Sequence, residues 1–183
     1  CRERLGLRVN AAIIGTAGAL YRNGGVETLF EAFERLSAEV DDLHLLIAGP
    51  REREISIPAG PRVHDLAQLP HAEVPLLYNA LDVAVVCYRH SAQGEYSFPQ
   101  KAYEIIACRT PLVAAAVGSM NELLRDHPEC LYEPEDPAAL ATAIRRQLQA
   151  KTILEIPAPG WSDAAKQLSN FFHQIVGRET TSA

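Results

Sequence analysis

Short, continuous apolar runs alternate with segments of helical period along almost the whole chain, a pattern that few folds accommodate. The runs Ala11 to Gly15, His44 to Gly49, Arg62 to Leu66, Val83 to Tyr88, Pro111 to Val117 and Cys130 to Glu133 predict strands. The first, second, fourth and fifth are apolar at successive positions, as strands covered on both faces must be. Between them the stripes Val26, Leu29, Phe30, Phe33 and Leu140, Ala141, Ile144, Leu148 predict amphipathic helices, and Leu168, Phe171, Phe172, Ile175 predict a last one. Asp136-Pro137 reads as an N-cap with proline at the first helical position, and Ser119-x-x-Glu122 as a capping box. Strands alternating with helices give an α/β class, a doubly wound, mostly parallel six-stranded sheet. The segment Ile156 to Gly160 reads as a linker, so the expected organisation is one domain over 1–155 and a linker plus C-terminal helical arm over 156–183.

Composition narrows the partners. The chain of 183 residues carries Lys+Arg 17 against Asp+Glu 23, a net charge of -6, which excludes a general electrostatic grip on nucleic acid. Any anion must be held by a local site. No apolar run approaches the roughly 18 residues of a membrane span. The four cysteines lie far apart with no C-x-x-C pair, and the six histidines show no metal spacing. That pattern predicts reduced, buried cysteines in a cytoplasmic protein with no metal site. Because the chain opens on Cys1, it is expected to be a piece of a longer protein.

In open α/β sheets ligands sit beyond the carboxyl ends of the strands where the strand order reverses, in the Rossmann order between the first and fourth strands. The loops there are Thr16 to Gly25 and Arg89 to Tyr96, both long for connections that usually take about 2–6 residues. The first holds Gly18, Gly24 and Gly25 with Arg22, and backbone N–H groups of such a loop can approach an anion, although taken alone a glycine-rich loop reads first as ordinary turn chemistry. The second feeds a predicted helix on which Ser97, Lys101, Glu104 and Cys108 fall at i, i+4, i+7 and i+11. A hydroxyl, an ammonium and a carboxylate then share one face. A diphosphate could dock at the helix start near Ser97 to Gln100 with Lys101 adding a cation, and Glu104 one turn deeper could accept hydrogen bonds from sugar hydroxyls. The alternative is an exposed ion pair of about 0.2–0.5 kcal/mol.

The run from Ser97 through Ala114, SFPQKAYEIIACRTPLVA, resembles the donor-site signature of family 4 glycosyltransferases of the GT-B fold, approximately S-P-x-K-x-x-E-Y-M-A-x-G-x-P-V-V-A. The similarity continues in Gly15 to Phe33, Leu45 to Pro50, His71 to Tyr88 and Asp136 to Leu140. The resemblance implies a Rossmann-like domain, the C-terminal half of a two-domain enzyme. It implies retaining transfer of a sugar from a nucleoside diphosphate sugar without a metal or other cofactor. It further implies an N-terminal acceptor-binding half of the same protein as partner, and leaves room for peripheral attachment to the inner face of a membrane through that half. By the same resemblance Glu104 is the second glutamate of an E-x7-E motif and binds ribose. Ser97, Phe98 and Pro99 lie where backbone groups contact diphosphate or sugar, and His64, Asp65 and Leu66 mark the strand end that receives the base. The first glutamate of the motif is replaced by Tyr96, with Glu95 one place off. Ala19 and Gly24 stand where the family often has Arg and Lys, leaving Arg22 to substitute, and Arg109 replaces the glycine after the helix. Lys101, Glu104 and Arg22 are therefore the expected catalytic residues, with Gly18, Glu95 and Tyr96 joining the ligand-binding set. These departures keep open a non-catalytic nucleotide-binding or interaction module built on the same fold.

Overall fold

The computed structural model describes residues 1–98, 100–158 and 160–179, with side chains through residue 176. Its strands are β1 (Ala12–Ala17), β2 (Leu43–Ala48), β3 (Val63–Asp65), β4 (Val83–Val86), β5 (Leu112–Ala115) and β6 (Leu131–Tyr132). They form one six-stranded sheet in the order β3-β2-β1-β4-β5-β6. Every neighbouring pair is parallel. The helices are α1 (Glu27–Leu36), α2 (Val74–Tyr78), α3 (Ala92–Tyr96), α4 (Gln100–Ala107), α5 (Ser119–Leu123), α6 (Pro137–Gln149) and α7 (Trp161–Glu179). This is the expected α/β, doubly wound, Rossmann-like fold, fully rather than mostly parallel.

The continuous apolar runs are explained by two cores. Side chains of a strand point alternately to opposite faces. Ile14, Leu45, Ile47, Val83, Val85 and Val113 meet Leu29, Phe33 and Leu36 of α1 and Leu140 and Ile144 of α6 on one face. Ile13, Leu46, Ala84, Val86, Leu112 and Ala114 meet Leu77 and Tyr78 of α2 and Ala102, Ile105 and Ile106 of α4 on the other. Truncating any of the fully buried leucines, Leu29 for example, should cost about 2–5 kcal/mol.

Local details depart from the sequence reading. β1 extends through Thr16 and Ala17, so the sheet absorbs the start of the loop expected at Thr16. Asp136 caps α6 as expected, its carboxylate accepting from the N–H groups of Ala138 (2.8 Å) and Ala139 (3.0 Å). The capping box at Ser119 does not form. Gly118 is the N-cap, and Ser119 Oγ turns away to donate to the carbonyl of Ser97 at 2.7 Å. Glycine is required there, because φ is +51° and a Cβ would lie 2.3 Å from the Glu95 carbonyl oxygen. The cysteines are free, but only Cys130 is buried; Cys87 and Cys108 are half-buried and Cys1 is exposed. Among the described residues no helix is long and apolar enough to cross a membrane. The stripe on α7 is not core: Trp161, Leu168, Phe171, Phe172, Ile175 and Val176 are all exposed.

Candidate functional site

The strand order reverses at β1, whose neighbours are β2 and β4. A cleft of about 300 Å3 opens beyond the carboxyl ends of β1 and β4. One wall comes from Thr16, Ala19, Leu20, Tyr21 and Gly24, and the other from Cys87, Tyr88, Gln93, Ser97, Phe98 and Lys101. A second cleft of similar size adjoins it, lined by Gly18, His71, Tyr78, Gln100, Lys101 and Glu104 among others. Lys101 lines both, together with Tyr88 and Phe98.

The position of Lys101 follows from the local backbone. Gly18 adopts φ +105°, and a Cβ there would lie 3.0 Å from Lys101 Cε and 3.2 Å from Nζ. The absence of that carbon lets the ammonium rest against the β1 loop. Gly49 repeats the device one layer back, where a Cβ would meet the Gly18 carbonyl oxygen at 2.0 Å. Gly18 is held by its own N–H, which donates to the Ala48 carbonyl at 2.9 Å. Burial pulls the Lys101 pKa below that of an ordinary lysine, against smaller opposing contributions from Cys87 and Glu104. Among the described residues Lys101 Nζ has no hydrogen bond or ion pair. A half-buried cation with no partner among the described residues favours an anion, and that is the main electrostatic statement the cleft makes.

Glu104 stands one turn along α4, its Oε1 accepting from Gln100 Nε2 at 3.0 Å. Below it the phenol of Tyr78 is buried without a hydrogen-bond partner among the described residues. Burial and the neighbouring Glu104 raise the Tyr78 pKa, keeping the phenol protonated as a donor. Burial likewise pushes the Cys87 thiol up to about 11, so this cleft residue is a thiol and not a thiolate near neutrality.

The sequence-derived residues divide into two groups. Gly18, Ser97, Phe98, Lys101 and Glu104 come together around the paired clefts. Ser97 does so differently from the spacing argument, because α4 begins at Gln100. Ser97 is the C-cap of α3, with its hydroxyl donating to the Gln93 carbonyl, and so it does not share the Lys101 face of α4. Arg22 does not line either cleft. Its N–H donates to Glu52 (2.8 Å), its carbonyl accepts from Arg89, and its guanidinium is exposed. Glu95 and Tyr96 also lie outside both clefts on the exposed end of α3, Tyr96 being 86% exposed. His64, Asp65 and Leu66 sit on β3 or just beyond it, at the edge of the sheet, and line neither cleft. His64 Nε2 is bonded to His44 Nδ1 at 2.8 Å, and Asp65 pairs with Arg51 at 2.6 Å. Pro99 lies outside the described residues.

Sequence reasoning missed His71, Tyr78, Tyr88, Gln93 and Arg89. Arg89 ties the site's frame together, donating from Nε to the Arg22 carbonyl (2.8 Å) and pairing with Glu135 (3.0 Å) and Glu27 (3.5 Å). Its partners are distant in sequence, so only the adjacency of the β1 and β4 loops could have signalled it.

Fold and site together define a parallel α/β domain with a cation-bearing cleft at the reversal of strand order. The chain belongs to the family Glycosyl transferases group 1, whose pattern matches residues 11–150. It is 35% identical over 175 residues to the D-inositol 3-phosphate glycosyltransferase of Geodermatophilus obscurus, covering 86% of this chain and 38% of that protein. With the same-named enzyme of Xylanimonas cellulosilytica it shares 32% identity over 195 residues, 97% of this chain and 46% of the relative. The chain thus spans less than half the length of these curated relatives. Among solved structures, Anabaena Alr3699/HepE in complex with UDP and glucose superposes with a TM-score of 0.65 at 20% identity, covering 81% of this chain and 41% of that one. The C-terminal domain of LpcC, a glycosyl transferase group 1 family protein of Francisella tularensis, gives 0.60 at 17% identity over 75% of each chain. At these identities the likeness is one of fold.

Proposed function

We propose that this chain is the C-terminal, donor-binding half of a family 4, GT-B glycosyltransferase that moves a sugar from a nucleoside diphosphate sugar with retention of configuration. The observation that carries the reading is Lys101, a half-buried ammonium with no hydrogen-bond or ion-pair partner among the described residues, seated against Gly18 and lining both clefts. The diphosphate lies against Lys101 and the α4 start, which offers N–H groups and a positive dipole end. The nucleoside extends into the second cleft, where Glu104 accepts from ribose hydroxyls. Stabilisation of the leaving diphosphate by Lys101 is the main catalytic contribution of this half. The complexes of HepE with UDP and glucose and the comparable extent of the LpcC domain support this reading.

In this reading the direct contact of cation and diphosphate makes a metal unnecessary. The acceptor is held by an N-terminal half of the same cytoplasmic protein, which the exposed apolar stripe of α7 contacts. Titration calorimetry of the chain with UDP, GDP and ADP, in EDTA and in magnesium, tests it. The expected result is weak binding of at least one diphosphate, within a few-fold under both conditions, with no sugar transfer by the chain alone. A strict magnesium requirement would count against the proposed arrangement.

One observation favours a second reading, a non-catalytic nucleotide-binding or interaction module: among the described residues Lys101 is the sole Lys or Arg lining the paired clefts. No binding of any nucleoside diphosphate to a folded sample would select the interaction module.

A further inference from the structure

β3 is the outer strand of the sheet, three residues long, and among the described strands it pairs with β2 alone. Flanking it, the Leu45 N–H donates to the Arg62 carbonyl and the Leu66 N–H to the Ile47 carbonyl, both at 2.9 Å. Just beyond, the Gly49 N–H donates to the Ala67 carbonyl at 2.6 Å. Ala67 holds that place at φ +50°, a left-handed conformation that a non-glycine residue leaves when nothing fixes it. This lightly held strand end therefore carries the Gly49 turn, which in turn lies against the Gly18 carbonyl.

A pair of histidines fastens β3 from the side. Register sets His64 beside Leu46, on the sheet face that His44 also uses. His44 Nδ1 and His64 Nε2 are 2.8 Å apart, with ring centroids 5.1 Å apart and planes inclined by 11°. Nitrogens that close at that centroid spacing mean that the rings meet edge to edge through one hydrogen. On its other side His44 Nε2 faces Asp42 Oδ1 at 3.2 Å, and the same oxygen accepts from Arg8 Nη1 at 2.9 Å. His44 itself is buried.

Hydrogen counting gives this pair its property. The Asp42 carboxylate can only accept, so His44 Nε2 carries a hydrogen and Nδ1 shares one with His64. A first added proton leaves that shared hydrogen in place, because whichever ring is charged donates to the other. A second sets N–H against N–H and brings two cations into contact. Arg8 already offsets Asp42, Asp65 at the end of β3 is taken by Arg51 at 2.6 Å, and α2 on the same face has Tyr78 as its one titratable residue. Burial first, and His44 second, hold the His64 pKa below the usual histidine value, the direction that such crowding produces.

We propose that the His44–His64 contact is a proton-operated latch on the sheet edge: with one shared hydrogen it holds β3, and double protonation releases the strand end and the Gly49 turn behind Gly18. Opening takes up a proton, so it grows as pH falls, by about tenfold per pH unit. Neither histidine lines the paired clefts, so the latch does not depend on what those clefts bind.

Amide hydrogen exchange followed by NMR tests this on the chain as it stands, with opening constants corrected for the pH dependence of the exchange chemistry itself. As pH falls from about 7 to about 5, the Leu66 and Gly49 amides should open about tenfold more readily per pH unit once the second proton binds, while those of β4 stay closed. Ring nitrogen shifts on the same sample read the protonation of the pair. In His64→Gln the side-chain amide can still donate to His44 but takes up no proton, so the opening of Leu66 and Gly49 should be flat across the same range. The proposal is overturned if both rings become doubly protonated while Leu66 and Gly49 keep their protection. It is equally overturned if β4 opens together with them, if the whole chain unfolds before both rings are protonated, or if the glutamine variant keeps the pH dependence. Should His64→Gln not fold, the three outcomes on the parent chain decide.

Discussion

Replacing Lys101 by Met should separate binding from stability in opposite directions. Methionine retains most of the apolar stem that packs against Gly18 but removes an ammonium that burial has already made less comfortable. With no ion pair to lose among the described residues, the folded state gives up a half-buried charge and little else. Stability should therefore hold or rise by about 0.5–2 kcal/mol, the range typical of a single stabilising substitution. For a chain of this length each kcal/mol moves the melting temperature by about 2–4 °C. The diphosphate should suffer in contrast. A hydrogen bond to a charged group contributes about 1.5–3 kcal/mol, so affinity should fall roughly 13- to 160-fold. Burial lowers the Lys101 pKa in the free protein and a bound diphosphate raises it, so binding takes up a proton and weakens as pH rises through the lowered value. The variant should lack that dependence. Thermal melts and calorimetry in buffers of different ionisation enthalpy read all three effects. A variant that loses more than about 1 kcal/mol of stability while binding diphosphate like the parent would refute the reasoning and make Lys101 structural.

Glu104→Gln should weaken nucleoside and nucleoside diphosphate alike, about ten- to a hundredfold, whereas Lys101→Met should spare the nucleoside; competition between UDP and uridine by NMR distinguishes them. His64, whose pKa is lowered first by burial and then by His44, binds fewer protons folded than unfolded. Stability should therefore be full above the ordinary histidine value and decline as pH falls from about 6.5, at no more than about 1.4 kcal/mol per pH unit. Denaturant midpoints across that window should flatten in His64→Gln. Gly118→Ala forces a Cβ to within 2.3 Å of the Glu95 carbonyl oxygen at a φ of +51°, and should cost more than about 2 kcal/mol in chemical denaturation.

The sheet was legible because strands buried on both faces leave a continuous apolar trace, and the right-handed crossover rule then leaves few possible orders. The switch-point location followed from taking the Rossmann order, which the sheet has. What sequence could not supply was register and rotation. The hydrogen bond between His44 and His64 depends on β2 and β3 aligning Leu46 with His64, which no local pattern encodes. The Ser97 to Cys108 spacing assumed one unbroken helix, but the chain ends α3 at Tyr96 and restarts at Gln100, moving Ser97 off the face shared by Lys101 and Glu104. The capping box at Ser119 matched a motif whose N-cap place was taken by Gly118, for a reason visible only once α3 is seen pressed against it. On α7 the periodicity was read correctly as a helix, yet period says nothing about what lies against the stripe.

Arg89 carries a consequence for how this cleft could change its ligand. Its planar fork joins the backbone of the β1 loop to Glu27 on α1 and to Glu135 ahead of α6. The loop is thereby tied as a stop rather than a lid, against which the proposed ligand would be gauged. Widening the cleft for a bulkier ligand by loop movement would require breaking three contacts at once. Enlargement by trimming a wall residue such as Tyr21 leaves the fork intact. New specificities on this frame should arise through side chains facing the stop, with the stop itself staying where Arg89 holds it.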